Sequence, residues 1–309
     1  MPPQVSTDET DELFTVAADY LRKRLTPELS QPKVAIICGS GLGGLVDTIE
    51  ETDKVEFSYE EIPGFVSSTV PGHAGKLAFG LLGKNKMPTV LMVGRFHFYE
   101  GYNLKQITFP IRIFKLLGVE TLIVTGAAGS LREEFETGDI GVLSDHISIP
   151  GFCGVNPLSG PNLPAFGPRF TALSDTYDYE LRVKAFKAAQ KLNFTPGSIK
   201  ESIYCFAGGP TYETRAEARF LKSTGGDVVG MSTVPEIIVA KHCGIKILGL
   251  ILVTNKVVEK KPKSADPMNY QQMMNYQDQE PVNHEEVIAL GVSKAKDMKN
   301  LVKTIIELI

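Results

Sequence analysis

The stretch DVVGMSTVPEIIVAKHCGIKILGLILVTN, from Asp227 to Asn255, reads as a strand, a helix and a second strand. Asp227 to Met231 is short, with apolar, β-branched residues at its middle. Thr233, Pro235 and Glu236 then spell a helix start: a hydroxyl to cap, a proline just inside, and a glutamate three residues on to complete a capping box. Lys241 and His242 lie at the far end, where the dipole favours positive charge, and Gly244 lets the chain leave. A second apolar run, Lys246 to Val253, leads straight into Thr254-Asn255. The polar residues thus gather at the strands' carboxyl ends, where open α/β sheets place their ligands. Ser232, at the mouth of the helix amino terminus, is suited to hold an anion.

Working outward, Val34 to Cys38 is a fully apolar strand that opens into Gly39-Ser40-Gly41-Leu42-Gly43-Gly44. The loop satisfies Gly-x-Gly-x-x-Gly, which alone is a weak dinucleotide signal. The acid expected to close a second strand has only Glu60 and Glu61 to offer, with Pro63-Gly64 directly behind. The helix after the loop would also be short, broken by the polar Glu50-Glu51-Thr52-Asp53. A phosphate-sized anion held by backbone N–H groups and Ser40 is therefore preferred over a dinucleotide or a plain tight turn. Pro71-Gly72-His73-Ala74-Gly75 forms a turn-rich loop. Lys76 to Leu82 and Pro88 to Val93 pair as a hairpin, whose second arm ends in Gly94-Arg95-Phe96-His97-Phe98-Tyr99-Glu100-Gly101. Strand alternation puts Arg95, His97 and Tyr99 on one side and Phe96 and Phe98 on the other. A guanidinium fork suits phosphate oxygens, the histidine can donate beside it, and the tyrosine can pack on a sugar. The bland alternative is the exposed polar face of an edge strand.

Two further strands end in candidate site residues. Thr121 to Thr125 opens into Gly126-Ala127-Ala128-Gly129-Ser130, small enough for backbone to approach a ligand, or simply for tight packing. Ser202 to Phe206 leads to Gly208-Gly209-Pro210-Thr211-Tyr212-Glu213. Thr214 and Glu217 then form a capping box, leaving Glu213 just outside a helix; a solvated loop glutamate is the alternative. Helices are expected from Leu13 through Leu21, ending before Thr26-Pro27, over Pro110 to Leu117, and from Asp175 to about Leu192. Ser144 to Phe170 shows no periodicity and reads as a long, functional loop. Residues 256–281 are polar and read as a candidate lid. Asn283 caps the last helix with Glu286 three on, so His284 lies in the first turn, where the dipole favours neutral imidazole.

The 309 residues are 43% hydrophobic with a net charge of −4, which supports a large core and argues against a nucleic-acid binder. No apolar run is long enough to span a membrane, and the amino terminus lacks a secretion-signal layout. The four cysteines, Cys38, Cys153, Cys205 and Cys243, are far apart, with no histidine at metal spacing, so reduced thiols in the cytoplasm are expected and a structural zinc is not. Residues 1–9 read as a disordered tail, and 10–309 as a single α/β domain: a central mixed sheet flanked by helices. Gly230-Met-Ser232-Thr-Val also approximates the nucleophile elbow of serine hydrolases, with Asp266 and His284 following. Such an elbow wants a small residue where Val234 stands.

Taken together, these segments resemble the trimeric purine nucleoside phosphorylases from Lys33 to the last helix. The match is carried by Ile37 to Gly43, Gly72 to Gly75, Gly94 to His97, Tyr212-Glu213-Thr214, Gly230 to Glu236, Thr254-Asn255-Lys256 and Asn283 to Glu286. The resemblance implies a twisted, partly barrel-like sheet of the phosphorylase/hydrolase kind. It implies reversible phosphorolysis of inosine, guanosine and their deoxy forms, with inorganic phosphate as co-substrate and no cofactor or metal. Ser40, His73, Arg95, His97, the Ala127 N–H and Ser232 would hold phosphate. Tyr99, Met231 and His284 would line the ribose, and Tyr212, Glu213, Thr254 and Asn255 the purine, with Asn255, Glu213, His97 and His284 carrying the catalysis. Phe166 would cover the sugar site of a neighbouring subunit in a homotrimer. The partners implied are small molecules, not nucleic acid or membrane. Two departures stand out: Gly126 where relatives often have asparagine, and Thr211-Tyr212 where they have Ser-Phe. The alternatives are a methylthioadenosine phosphorylase-like enzyme, which would place an acid at position 255, or a nucleoside binder without turnover.

Overall fold

In the computed structural model the described residues are 7–39, 41–49, 54–69, 74–266, 268, 277, 279 and 284–309, with backbone alone for 7–11, 284 and 286–288. The strands are β1 (Val34–Cys38), β2 (Val55–Ser58), β3 (Lys76–Leu82), β4 (Met87–Val93), β5 (Thr121–Ser130), β6 (Ile140–Ser148), β7 (Ile199–Phe206), β8 (Val228–Gly230) and β9 (Lys246–Lys256). The helices are α1 (Thr7–Arg22), α2 (Leu104–Leu117), α3 (Ile149–Phe152), α4 (Tyr179–Lys191), α5 (Arg215–Ser223), α6 (Val234–His242) and α7 (His284–Ile306).

All five residues of β1 are buried, as befits a strand covered on both faces. It runs parallel to β4 on one side and β5 on the other. The nine strands described form one mixed sheet in the order β2-β3-β4-β1-β5-β8-β7-β6-β9. Strand β9 then pairs back onto β5, so β5, β8, β7, β6 and β9 close into a ring, the partly barrel-like sheet expected. Closure removes the exposed edges that an open sheet would leave on that side.

Helices cover both faces. Phe14 and Leu21 of α1, Ile111 and Phe114 of α2, and Ile237 of α6 share one buried cluster with residues of β1, β3 and β4. Leu181 and Ala185 of α4 and Met298, Leu301 and Ile305 of α7 share another. Helix α5 contributes Ala218 and Leu221 to a third, smaller cluster.

Several boundaries differ from the expectations. The glycine loop after β1 leads into a single 3-10 segment, Gly43–Thr48, rather than a short α-helix. The next strand, β2, pairs antiparallel with β3 instead of lying parallel beside β1. A dinucleotide unit needs that second parallel strand, so topology rules the dinucleotide reading out. Ser144 to Ser148 belong to β6, which stays paired with β7 past an irregularity between Leu143 and Asp145. That irregularity and the half-exposed face erase the alternation, which is why the segment looked like loop. Helix α4 starts at Tyr179, capped by Asp178, whose carboxylate accepts from the Leu181 N–H. Helix α1 already begins at Thr7, inside the stretch read as tail. Helix α2 starts at Leu104, capped by Asn103, and carries Pro110 in its interior. Asn283 and residues 267, 269–276, 278, 280 and 281 of the candidate lid lie outside the described residues.

Candidate active site

Three strand ends and two loops supply the site. Past β4, Gly94 to His97 is not strand, yet the expected sidedness holds. Arg95, His97 and Tyr99 line a single cavity, while Phe96 is buried edge-on against Tyr59 and Tyr102. Strand β5 adds Gly126, Ala127, Ala128 and Gly129 to the same cavity, and its pairing with β9 shifts register between Ala128 and Gly129. Bulges of this kind re-aim side chains beside functional sites. The carboxyl end of β9 brings Thr254 and Asn255, the β8–α6 turn brings Met231 and Ser232, and the loop after β7 brings Tyr212 and Glu213.

Arg95 is the most enclosed of these groups, with its side chain 1% exposed. Its Nη1 donates to Ser232 Oγ at 2.8 Å and to Thr233 Oγ1 at 2.9 Å. Its Nε lies 3.0 Å from Glu236 Oε1. The capping box read at Thr233 and Glu236 is therefore not made: Thr233 has no side-chain cap hydrogen bond and adopts φ +76°. Both residues turn to the guanidinium instead. Forgoing the cap costs about 1 kcal/mol, and a β-branched residue at positive φ about 1–3 kcal/mol more. Gly126 lies against this assembly: a Cβ there would stand 3.3 Å from Arg95 Nη1, Thr233 Oγ1 and Ile251 Cδ1. Gly39 packs more closely still, since a Cβ would come within 2.7 Å of the Gly126 Cα. Close approach of backbone thus accounts for the first glycine of that loop.

His97 is held from behind. Its Nδ1 lies 3.1 Å from Glu100 Oε1, which also accepts the His97 backbone N–H at 2.7 Å. The other carboxylate oxygen takes the N–H and hydroxyl of Thr69, both at 2.7 Å. Burial pushes the Glu100 carboxyl up, but the bonds from His97 and Thr69 outweigh it and hold it at about 2. An ionised carboxylate only accepts, so Nδ1 donates toward Glu100 while the imidazole lines the cavity. Tyr99 stacks on the imidazole at 4.7 Å. Burial lifts its hydroxyl to about 12, so it stays a neutral donor.

The remaining wall is more open. Tyr212 is 40% exposed. Burial raises the Glu213 carboxyl above its ordinary range, with Glu217 adding to the shift against an opposing backbone hydrogen bond. Asn255 Oδ1 accepts from the Thr254 hydroxyl at 3.1 Å. Gly129 makes room for that amide: a Cβ there would stand 3.0 Å from Asn255 Nδ2 and 2.8 Å from Val257 Cγ2.

Ser40 and His73 lie outside the described residues, as does the side chain of His284, although its backbone opens α7. Phe166 does not line this cavity of its own chain. It is 7% exposed within its own chain, edge-on to Phe14 at 5.4 Å and under the Arg112 guanidinium. An apolar ring beside a buried aromatic and a cation gains more there than in water, which holds Phe166 in place within its own chain. The serine-hydrolase alternative also fails on geometry. Ser232 faces a guanidinium, which has no acceptor and cannot take its proton. Asp266 is exposed, with Oδ1 accepting from the Met268 N–H. Sequence reasoning missed Glu100 and Val257. The three-residue spacing from His97 could have flagged Glu100; nothing in the pattern flags Val257.

Among the described residues no group of three or more histidine, cysteine, aspartate or glutamate side chains could hold a metal. No helix described is long and apolar enough to cross a membrane. The family model of the phosphorylase superfamily matches residues 33–307. The purine nucleoside phosphorylase of Mus musculus is 50% identical over 277 residues, spanning 90% of this chain and 89% of its own. That of Saccharomyces cerevisiae is 43% identical, spanning 97% of each. The Schistosoma mansoni purine nucleoside phosphorylase in complex with inosine superposes with a TM-score of 0.85 at 41% identity, over 96% of each chain. On sequence, fold and the composition of its cavity, this chain belongs to the phosphorylase superfamily, among its purine nucleoside phosphorylases.

Proposed function

We propose that the chain catalyses reversible phosphorolysis of purine nucleosides, inosine and guanosine with their deoxy forms foremost. Phosphate and nucleoside would give free purine and (deoxy)ribose 1-phosphate. The observation that carries this reading is one cavity lined both by an oxyanion-holding set, Arg95, His97 and Ser232, and by a base-reading pair, Glu213 and Asn255.

A phosphate oxygen bonds to the sugar's anomeric carbon as the bond from that carbon to the purine nitrogen breaks. The sugar passes through an oxocarbenium-like state. Phosphate is the nucleophile, so the chemistry asks for no protein nucleophile, metal or organic cofactor. Arg95, His97 through Nε2, Ser232 and the Ala127 N–H hold the dianion, with Ser40 and His73 assigned there by family resemblance. Tyr99, Met231 and His284 line the sugar, and Tyr212 and Thr254 pack about the base. The Asn255 amide donates to the N7 and O6 region as negative charge builds on the departing purine. Glu213 accepts from the N1–H of a 6-oxopurine, a proton that adenine lacks. A buried carboxylate left unmatched costs about 1–3 kcal/mol, which sets the preference.

The assembly is a homotrimer acting in the cytoplasm. Phe152 and Phe170, 81% and 88% exposed, offer apolar surface for subunit contact. The free thiols Cys38, Cys153, Cys205 and Cys243 fit a reducing compartment. The test is incubation with inosine, with and without phosphate, following hypoxanthine and ribose 1-phosphate. Release only with phosphate is expected. Release that ignores phosphate would mean a hydrolase, and none would mean a binder.

A further inference from the structure

The first turn of α6 presents two side chains that a free helix would use on itself. Thr233 and Glu236 occupy cap and third position, the pattern of a reciprocal capping box. Neither caps. The Thr233 hydroxyl accepts from Arg95 Nη1, and the Glu236 carboxylate faces Arg95 Nε at 3.0 Å. Glu236 is 2% exposed and Thr233 fully buried. Arg95 lines the cavity; Glu236 does not. A glutamate buried away from the ligand, and held against an arginine that meets it, acts on the ligand only through that arginine.

The backbone makes the same point. Thr233 keeps φ +76° although it is β-branched. Such strain persists only where the surroundings over-determine it. Here they do: a Cβ at Gly126 would stand a tight 3.3 Å from both Arg95 Nη1 and Thr233 Oγ1, and Ser232 Oγ approaches the same nitrogen at 2.8 Å. A guanidinium is planar and its donors are fixed in a fork. An ion pair beside Nε and two hydroxyls on Nη1 therefore hold the direction of the whole fork.

We propose that Glu236 is a positioning residue for phosphate: with Thr233 it trades the helix cap for a clamp that aims Arg95 into the cavity. This rests on the phosphorolysis reading and adds to it the group that orients the phosphate-binding arginine. Two effects of Glu236 oppose each other. Its charge alone would weaken anion binding, whereas its orienting contact strengthens it. Their signs differ, so the experiment separates them.

Glu236→Gln keeps the volume and removes the charge-assisted contact. A positioned group displaced by about 1 Å can cost about a hundredfold. The KM for phosphate is expected to rise by about tenfold or more, with the KM for inosine held within about twofold and the melting curve still cooperative. Calorimetric titration of inorganic phosphate should show the same weakening without turnover. Thr233→Val, which keeps the β-branched shape at the same φ, should move phosphate KM in the same direction, and Thr233→Ser should recover most of the loss. An unchanged or lower phosphate KM in Glu236→Gln overturns the proposal, the lower value showing a counter-charge only. Equal loss for both substrates, in step with loss of folded protein, overturns it in favour of a purely structural role. If Glu236→Gln does not fold, the Thr233 pair decides by the same criteria. A wild-type chain that ignores phosphate would instead overturn the functional reading beneath it.

Discussion

The two sides of the cavity are built differently. The oxyanion side hangs on a guanidinium just past β4's end, 1% exposed and clasped by residues from the β8–α6 turn and the first turn of α6. The base side rests on a loop, with Tyr212 at 40% exposure and Glu213 just ahead of the helix that Thr214 caps. Phosphate is the same in every turnover, so its site can be fixed in the sheet and helix starts. Purines differ at a few edge atoms, and a loop is the cheaper place to vary the reader. The departures at Thr211 and Tyr212 fall on that loop.

That contrast can be broken by mutation, and the largest effect is expected at Arg95. Arg95→Met removes the fork and strands Glu236 in the interior. Phosphorolysis should fall by about a hundred- to a thousandfold, and stability by about 3–5 kcal/mol, read from phosphate saturation and denaturant unfolding. An Arg95→Met protein as stable as wild type would show that the pair is not the structural anchor of this side. Asn255→Ala on the opposite side should cost a comparable factor in kcat, about a hundredfold or more, but leave the denaturation midpoint nearly unmoved. Asn255→Asp should shift preference toward adenosine, and inosine selectivity unchanged in that variant would contradict the base assignment.

Smaller effects sharpen the same comparison. Glu213→Gln should lower the inosine-to-adenosine ratio of kcat/KM by about tenfold while phosphate KM stays put; a shift in phosphate KM would mean the two sides are coupled. Glu100 supplies a pH signature. Its folded carboxyl lies at about 2, below an unfolded value of about 4.3. A depressed acid contributes stability that is fully present above the unfolded value and lost as pH falls through the folded one. Wild type should therefore lose stability relative to Glu100→Gln between about pH 4.3 and about 2. Parallel acid-unfolding curves would show that the bonds from Thr69 and His97 do not hold this group down.

Much of this was legible in the sequence. The apolar runs of β1, β5 and β9 fixed the α/β class, because strands buried on both faces need no alternation to be recognised. Arg95 and His97 emerged from alternation although that segment is not strand, since an extended backbone shares the two-residue period; Tyr99 lies in a 3-10 turn, Phe98–Glu100, and reaches the cavity by stacking on His97. The dinucleotide question needed the pairing partner of β2, which no local pattern encodes. The helix start at Thr233 was placed correctly, but its chemistry was not: a capping box and an arginine clamp use the same residue types at the same spacing. Phe166 was read from resemblance alone, and its neighbours within the chain, Phe14 and Arg112, are remote in sequence.

The most direct test of the central claim is a crystal structure with inorganic phosphate and hypoxanthine together. Phosphate within hydrogen-bonding distance of Arg95, His97 Nε2 and Ser232, with the purine edge facing Asn255 and Glu213, is the expected result. A phosphate bound away from Arg95, or a base whose edge turns from Asn255, would contradict it.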